Sequence, residues 1–565
     1  MSLGRQAVAA GLLIWLAAAP AHAQDSTLGA SRFFADAAED EEDRQSTTFD
    51  GSLTSTTFYY REQGDKVASP VPGGPLVYSA SPVDRIFTDL RGQLDAKHIA
   101  GSKFDFRADM RGRVVTTTFS TNSDQPVNPE GTPTMTDVPY QSGSLYGNEF
   151  ELRELYVRRD GSSLDVSVGR QYSLELAATK FDGIKVEPEA NQHWKFILFG
   201  GLYPSRNSRD LREDYPQYDK DPMLADFQPA RVMPVTGGAG TAYRYQSIYG
   251  SLGAVGILPL ADDFATGEAE EARVFATANG YWRQSANVDV YHYIVADAAG
   301  AGGAGLTNLT LGVNLQPTPR LRAYASVSRI DTETLNSIAQ TKLEDPDIDP
   351  GMAVQVQNNV EVQRIAQESA RVGLSANFSN RFEISTSGAL RRRGELRFDS
   401  VSGDPNSSGD DIVFPAAQAA DLTLSAVDRR SLGGMRLGAS VTSSFGVGNA
   451  NLYRSQALIG RLDANKQFAD GRAELEGNLT YVGSGDDNRG SACDLREIPT
   501  CYGAAELQSI TAGLLAYYRF RPEWFAMFSG SLGAQQSKAA NTTGGLVDQP
   551  TILSTALLFR LAYRF

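Results

Sequence analysis

The sequence predicts an all-β fold, a transmembrane antiparallel β-barrel of about 22 strands with short periplasmic turns and long extracellular loops. Three observations predict it. The chain ends in ALLFRLAYRF, where Leu557, Phe559, Leu561, Tyr563 and Phe565 take every second position and Arg560 and Arg564 fall between them. A period of two with one strongly apolar face is a strand fit to face lipid. Segments about ten residues long repeat that dyad pattern, and the connections between them alternate between short and long.

At the N-terminus, Arg5 precedes an apolar run from Ala7 to Ala19 and then Pro20-Ala21-His22-Ala23. A charged start, a short apolar core and an A-x-A ending describe a secretory signal over 1–23, too short to span ~30 Å of hydrocarbon as an anchor. No Cys follows the expected cleavage site, so a lipoprotein anchor is not expected. Residues 24–46 hold seven acids (Asp25, Asp36, Glu39, Asp40, Glu41, Glu42, Asp43) against Arg32 and Arg44. This acidic segment is a solvated periplasmic tail or a contact for a periplasmic partner. The barrel is expected over 47–565.

The dyad pattern is clear at Phe104–Val114, where Phe104, Phe106, Ala108, Met110, Gly112 and Val114 alternate with Asp105, Arg107, Asp109, Arg111 and Arg113. It recurs at Ile86–Asp95 and at Arg472–Tyr481. Short turns are expected at Asp160–Ser162, Glu187–Asn191, Gln284–Asn287, Pro317–Arg320, Ser379–Arg381, Asp428–Ser431, Ala469–Gly471 and Arg521–Glu523. Long polar segments lie between them at Glu62–Asp84, Ser120–Gly147, Pro204–Val235, Thr332–Val362, Ser400–Ala416, Gly485–Ala504 and Lys538–Gln549. Both chain ends belong on the periplasmic side, so the strand number is even. An odd first count is repaired by splitting Thr241–Leu260 into two strands around Gln246–Ile248, which gives about 22 strands, with 18 and 20 left open.

Trp194, Trp282 and Trp524 each lie within a few residues of an expected short turn, and Phe565 belongs to the same level. Aromatic rings favour the membrane–water boundary, so these four residues are expected to form the periplasmic girdle. If one strand face meets lipid, the other lines the lumen. That places Asp89, Arg91, Asp95, Asp105, Arg107, Asp109, Arg111 and Arg113, then Arg391, Arg393 and Arg397, and finally Glu474 and Glu476 along the pore. Opposite charges on neighbouring strands can pair and stiffen the wall; an arginine strip can equally attract anionic solutes. Arg392 would face outward, toward lipopolysaccharide phosphates.

So wide a barrel is unselective unless something fills it, and a tail of some twenty residues is too short for a globular plug. The constriction is therefore expected from folded-in loops, with Pro204–Val235 and Thr332–Val362 as the candidates. Cys493 and Cys501 share one outer loop in an oxidising compartment and are expected to form a disulfide.

The remaining chemistry is sparse. Composition shows 2 Cys and 4 His among 565 residues and a net charge of −15, which disfavours thiolate metal centres and nucleic-acid binding. Asp345, Asp347 and Asp349 lack the Gly and the terminal Glu of a calcium loop. His98, His193 and His292 sit in no nucleophile or metal motif. No enzyme, metal or cofactor is expected.

The stretch Glu154–Gln171, ELYVRRDGSSLDVSVGRQ, followed by FDGIKV at Phe181–Val186, resembles a hairpin of outer-membrane porins, including alginate-export-type ones. The resemblance implies a strand pair beside the pore. Two functions remain: a porin-like channel for passive diffusion of small hydrophilic solutes, or a non-conducting barrel anchoring an envelope-spanning or adhesive complex. In either case the C-terminal strand, closed by Phe565, resembles the sorting signal of outer-membrane barrels, which implies that the barrel-assembly machinery reads it.

Overall fold

The computed structural model describes residues 47–64, 66–67, 77–78, 83–116, 148–204, 211, 214–215, 217–218, 230–231, 233–258, 272–285, 287–300, 304–331, 366–394, 396–398, 412–414, 416–447, 455–486, 505–540, 546–548 and 551–565. The signal and acidic segments, the Thr332–Val362 loop, the Asp345–Asp349 acids and the Cys493–Cys501 pair lie outside the described residues.

Twenty-two long strands form the wall. They are β1 Thr48–Gly64, β2 Val83–Lys97, β3 Phe104–Val115, β4 Glu149–Arg159, β5 Leu164–Ser173, β6 Thr179–Asn191, β7 Trp194–Leu202 and β8 Val235–Tyr245. Next come β9 Ile248–Leu258, β10 Arg273–Ser285, β11 Val288–Ala299, β12 Gly305–Thr318, β13 Leu321–Asp331, β14 Ala366–Asn377 and β15 Phe382–Arg393. The last are β16 Ala417–Leu432, β17 Met435–Gly446, β18 Ser455–Phe468, β19 Ala473–Asp486, β20 Ala505–Arg519, β21 Trp524–Ala540 and β22 Ile552–Arg564. A three-residue strand, Leu546–Asp548, adds to the outer end of β21.

Every strand pairs antiparallel with its sequence neighbour, and the ring closes between the first and the last. β1 runs from Ser52 opposite Arg564 to Gly64 opposite Ile552 on one side, and pairs with β2 on the other. Closure removes the free sheet edge that an exposed strand would present. The start of β1 at Thr48 and the end of β22 at Arg564 both lie at the short-turn end, as an even strand number requires. The split in Thr241–Leu260 is real: β8 and β9 are joined by Gln246 and Ser247, with Gln246 at φ +48°.

Two turns differ from expectation. The chain does not turn at Asp428–Ser431; β16 continues to Leu432 and reverses at Gly433-Gly434, with φ +60° and +78°. A two-residue turn with positive φ at both central residues matches the twist of the flanking strands, and two glycines adopt it without strain where Arg429-Arg430 would not. Likewise β6 runs through Asn191, and the turn is Gln192–His193. The Asn191 side-chain oxygen accepts the N–H groups of His193 and Trp194 at 2.8 and 3.0 Å.

The alternation separates two faces. Leu53, Leu90, Val168, Leu252, Val372, Leu422 and Leu532 stand outward, each more than half exposed. Such a shell is unstable in water and stable in hydrocarbon. Among the described residues, no helix is long and apolar enough to cross a membrane.

Candidate functional site

The inward face of β2–β4 is a ladder of paired charges. Arg91 meets Asp109 side on, Nε to Oδ1 at 2.9 Å and Nη2 to Oδ2 at 2.6 Å. Arg107 joins Asp95 at 2.9 Å and Glu154 at 2.5 Å. Arg111 reaches Glu149 at 2.9 Å and Glu151 at 3.3 Å, and Arg113 reaches Asp89 at 2.7 Å. Each arginine is thus matched by carboxylates on a neighbouring strand, so the ladder crosslinks the wall rather than presenting a bare positive strip. Asp105 lies lower, where its Oδ1 accepts the His98 N–H at 2.8 Å.

Next to this ladder the wall departs from a plain barrel. At Gly169 the backbone takes φ +129°, and a Cβ there would lie 2.2 Å from the Leu155 carbonyl oxygen. Beyond this point β5 leaves β4, because its pairing stops at Leu155–Arg170. β6 leaves β7 beyond Asp182–Leu202. The freed hairpin end, with its tip at Leu174–Ala178, folds into the lumen against the inner faces of β7 to β11.

Contacts fix it there. Leu176 is fully buried and seats on Gly240 and Gly253, where Cβ atoms would come within 2.6 and 2.3 Å of its Cδ2. Phe181 stacks on Phe199 with ring centroids 4.4 Å apart. Together with Ile197, Ala242, Val255, Phe275 and Val295 they form a small apolar core inside the barrel. Burying Leu176 and Phe181 stabilises the folded-in state by about 2 kcal/mol each. The Glu175 carbonyl accepts the Ser251 hydroxyl at 3.0 Å, and its carboxylate lies 3.5 Å from Lys195 Nζ. These anchors offset the strain of the tip, where Ala177 and Ala178 both have positive φ.

The gap left in the wall is closed from outside. Arg170 binds Asp182 through Nε and Nη2 at 2.6 and 2.5 Å and also pairs with Asp214. Tyr215 donates its hydroxyl to Asp182 at 2.6 Å, and Lys180 faces Asp214 at 3.6 Å. Burial, together with that hydrogen bond to a carboxylate, pushes the Tyr215 phenol well above its usual range. Arg170 and Asp182 belong to the GRQ and DG elements of Gly169–Gln171 and Asp182-Gly183, so this motif is the hinge of the hairpin and the fastening behind it.

The far wall, β13 to β17, is smooth by comparison. Ser328 pairs with Ser369, Ser385 with Ser425, and Thr423 with Thr442, all at 2.5–2.9 Å. Twenty-two strands spaced ~4.8 Å apart and tilted ~40° enclose a cylinder roughly 40 Å across. Among the described residues, the hairpin narrows this space from one side and leaves the rest of it open.

The other expected residues are placed as follows. Arg391 points inward to Asp421 at 2.7 Å, and Arg393 shares its face. Arg397 lies in a separate two-stranded hairpin, Leu396–Phe398 with Ile412–Phe414, outside the wall sheet. Glu474 accepts from Asn465, and Glu476 lies 3.7 Å from Arg461. Arg392 faces outward and meets Glu368 at 3.6 Å. Trp194, Trp282, Trp524 and Phe565 all sit at the short-turn end; Trp524 packs on Tyr563 and Tyr563 on Phe565. Of the Pro204–Val235 loop, Asp214 and Tyr215 back the hairpin. Sequence reading missed the element that does enter the lumen; its signal was Phe181, an apolar residue on the face that its strand otherwise gives to Lys185 and Glu187.

No protein-family model matches the chain, and no curated protein matches it. Solved structures with similar shape include Acinetobacter baumannii OccAB4, at 9% identity, covering 92% of this chain and 100% of that one, with a TM-score of 0.33. Pseudomonas aeruginosa OpdK with vanillate follows at 11% identity, 92% and 99% coverage, and 0.33. A mutant ferric enterobactin receptor, PfeA, of P. aeruginosa has 12% identity, 91% and 80% coverage, and 0.45. At these identities and scores, nothing true of those proteins is carried over to this chain.

Proposed function

We propose that the chain is a porin-like channel of the bacterial outer membrane, passing small hydrophilic solutes by passive diffusion. The observation that carries this reading is a closed wall, apolar outside and polar inside, whose lumen is narrowed by an inward hairpin. Water and solutes would pass between the hairpin and the hydroxyl-lined far wall, with the paired charges of β2–β4 flanking the path. Nothing in this mechanism requires a reacting group or an energy source.

The same reading gives the remaining residues their roles. Trp194, Trp282, Trp524 and Phe565 would sit at the periplasmic interface, and Arg392 near lipopolysaccharide phosphates. The strand ending in Phe565 would be read by the assembly machinery, the 24–46 segment would stay in the periplasm, and Cys493 and Cys501 would stiffen one outer loop. Liposome swelling with neutral sugars of graded size tests the function. Swelling that is fast for small sugars and falls with size is expected; no swelling with any sugar would leave the anchoring barrel as the better account.

A further inference from the structure

The wall is incomplete as a sheet in one sector. On its β5 side, β4 has strand partners only from Leu155 to Arg159. Above that, the gap is held by side chains and a loop: Leu211 N–H donates to the Phe150 carbonyl at 3.0 Å, and Arg170 Nη1 to the Leu152 carbonyl at 3.1 Å. Asp214 and Tyr215 complete the closure against Arg170, Lys180 and Asp182. Directly beneath it, a cavity of about 360 Å³ opens on the outward face. Leu152, Leu155, Val168 and Ile184 line it, Gly169 and Gly183 contribute bare backbone, and the Arg170–Asp182 pair roofs it. On the luminal side of the same closure stands the apolar cluster of Leu176, Phe181 and Phe199.

We propose that this sector is a lateral passage, in which the outward cavity takes the hydrocarbon chain of a single-chain amphiphile and the Asp214–Tyr215 closure opens to let it cross between lumen and bilayer. The proposal rests on the reading of the chain as a membrane channel. Hydrocarbon is the ligand because four apolar side chains line an open recess with no unpaired charge, facing the lipid. The passage belongs here because opening the wall elsewhere breaks a continuous ladder of backbone hydrogen bonds. Among the described residues, it breaks here ion pairs, a hydroxyl contact, the Arg170 bond to the Leu152 carbonyl and one backbone bond. The luminal cluster is buried while the closure holds, and it meets the chain only as the closure opens.

The test uses the full chain in lipid nanodiscs with a diazirine-bearing fatty acid, light activation and mapping of the labelled peptides. Labelling at Leu152, Val168 and Ile184 is expected several-fold above that at Leu422 and Leu424, which are as exposed on the outward face. Val168→Trp, which fills the recess, removes the excess. Asp214→Ala, or the milder Tyr215→Phe, extends labelling to Leu176 or Phe181. Even labelling around the barrel means ordinary lipid contact and overturns the cavity. Cavity labelling that never reaches the luminal residues in either closure variant overturns the passage. Current recorded from the same preparations separates the two readings: a conducting barrel with even labelling keeps its channel function and loses only the lateral route.

Discussion

The ring of Phe565 lies on Gly51, across the seam where the barrel closes. Gly51 N–H donates to the Phe565 carbonyl at 3.0 Å, Phe565 N–H returns to Gly51 O at 3.2 Å, and a Cβ on Gly51 would stand 2.3 Å from the ring's Cζ. The aromatic end of the last strand thus needs a bare position on the first. Gly51→Val is expected to lower barrel stability by about 1–3 kcal/mol through overpacking. Gel mobility of unboiled samples heated in steps checks this: the folded band should disappear at a lower temperature than in wild type, and Phe565→Ala in the same background should recover part of the loss.

Gly169 is the hinge of the luminal hairpin. Gly169→Val places a β-branched residue at φ +129° and drives its Cβ into the Leu155 carbonyl. The strain of a non-glycine residue there is on the order of 1–3 kcal/mol. The hairpin should straighten toward the wall, and protease or cysteine-reagent access to residues 174–178 from the outer side should rise. Unchanged access would show that another element sets the bend.

Leu176 is the anchor of the tip. Leu176→Ala removes most of a fully buried side chain and is expected to cost about 2–5 kcal/mol of local stability. Leu176→Asp goes further, because an unpaired carboxylate cannot stay in that cluster. Both variants should loosen the hairpin without unfolding the barrel, since the anchors lie inside a wall that is closed independently. Larger permeable sugars in the swelling assay are the expected result, with Asp exceeding Ala.

One pH effect follows from the turn below the charged ladder. Burial raises the Asp160 carboxyl from 3.8 to about 6, with Asp105 and Asp165 adding to the shift and Arg158 opposing it. A carboxyl whose folded value is raised contributes most at low pH, and that contribution is lost as pH climbs from about 4 to 6. Asp160→Asn should flatten the dependence of unfolding on pH in this window. The comparison is the heating midpoint at pH 4 and pH 7; equal slopes in variant and wild type would contradict the assignment.

Much of this architecture was legible locally. Alternation is a property of neighbouring residues, so Phe104–Val114 and Leu557–Phe565 announced their strands and their lipid-facing sides. Connection lengths sorted the two ends, and parity exposed the missing hairpin at Gln246-Ser247. The inward charges were legible for the same reason, although their exact pairing, Arg107 to Glu154 or Arg391 to Asp421, depends on register between strands. The inward hairpin was not legible, because it depends on contacts between residues far apart in sequence. Leu176 finds room only because Gly240 and Gly253 lie opposite, some seventy residues on, and nothing within Leu174–Ala178 reports that. The turn at Gly433-Gly434 was missed because the charged run Asp428–Arg430 looked like a turn, whereas backbone φ decides the reversal.

The central claim is a water-filled pore narrowed by the Leu174–Ala178 hairpin. Single-channel recording of the purified chain in planar bilayers tests it most directly, with wild type and Leu176→Asp side by side. Stable open steps in wild type, and larger steps in the variant, are the predicted result. Silence from both, in samples whose gel mobility shows a folded barrel, would contradict it.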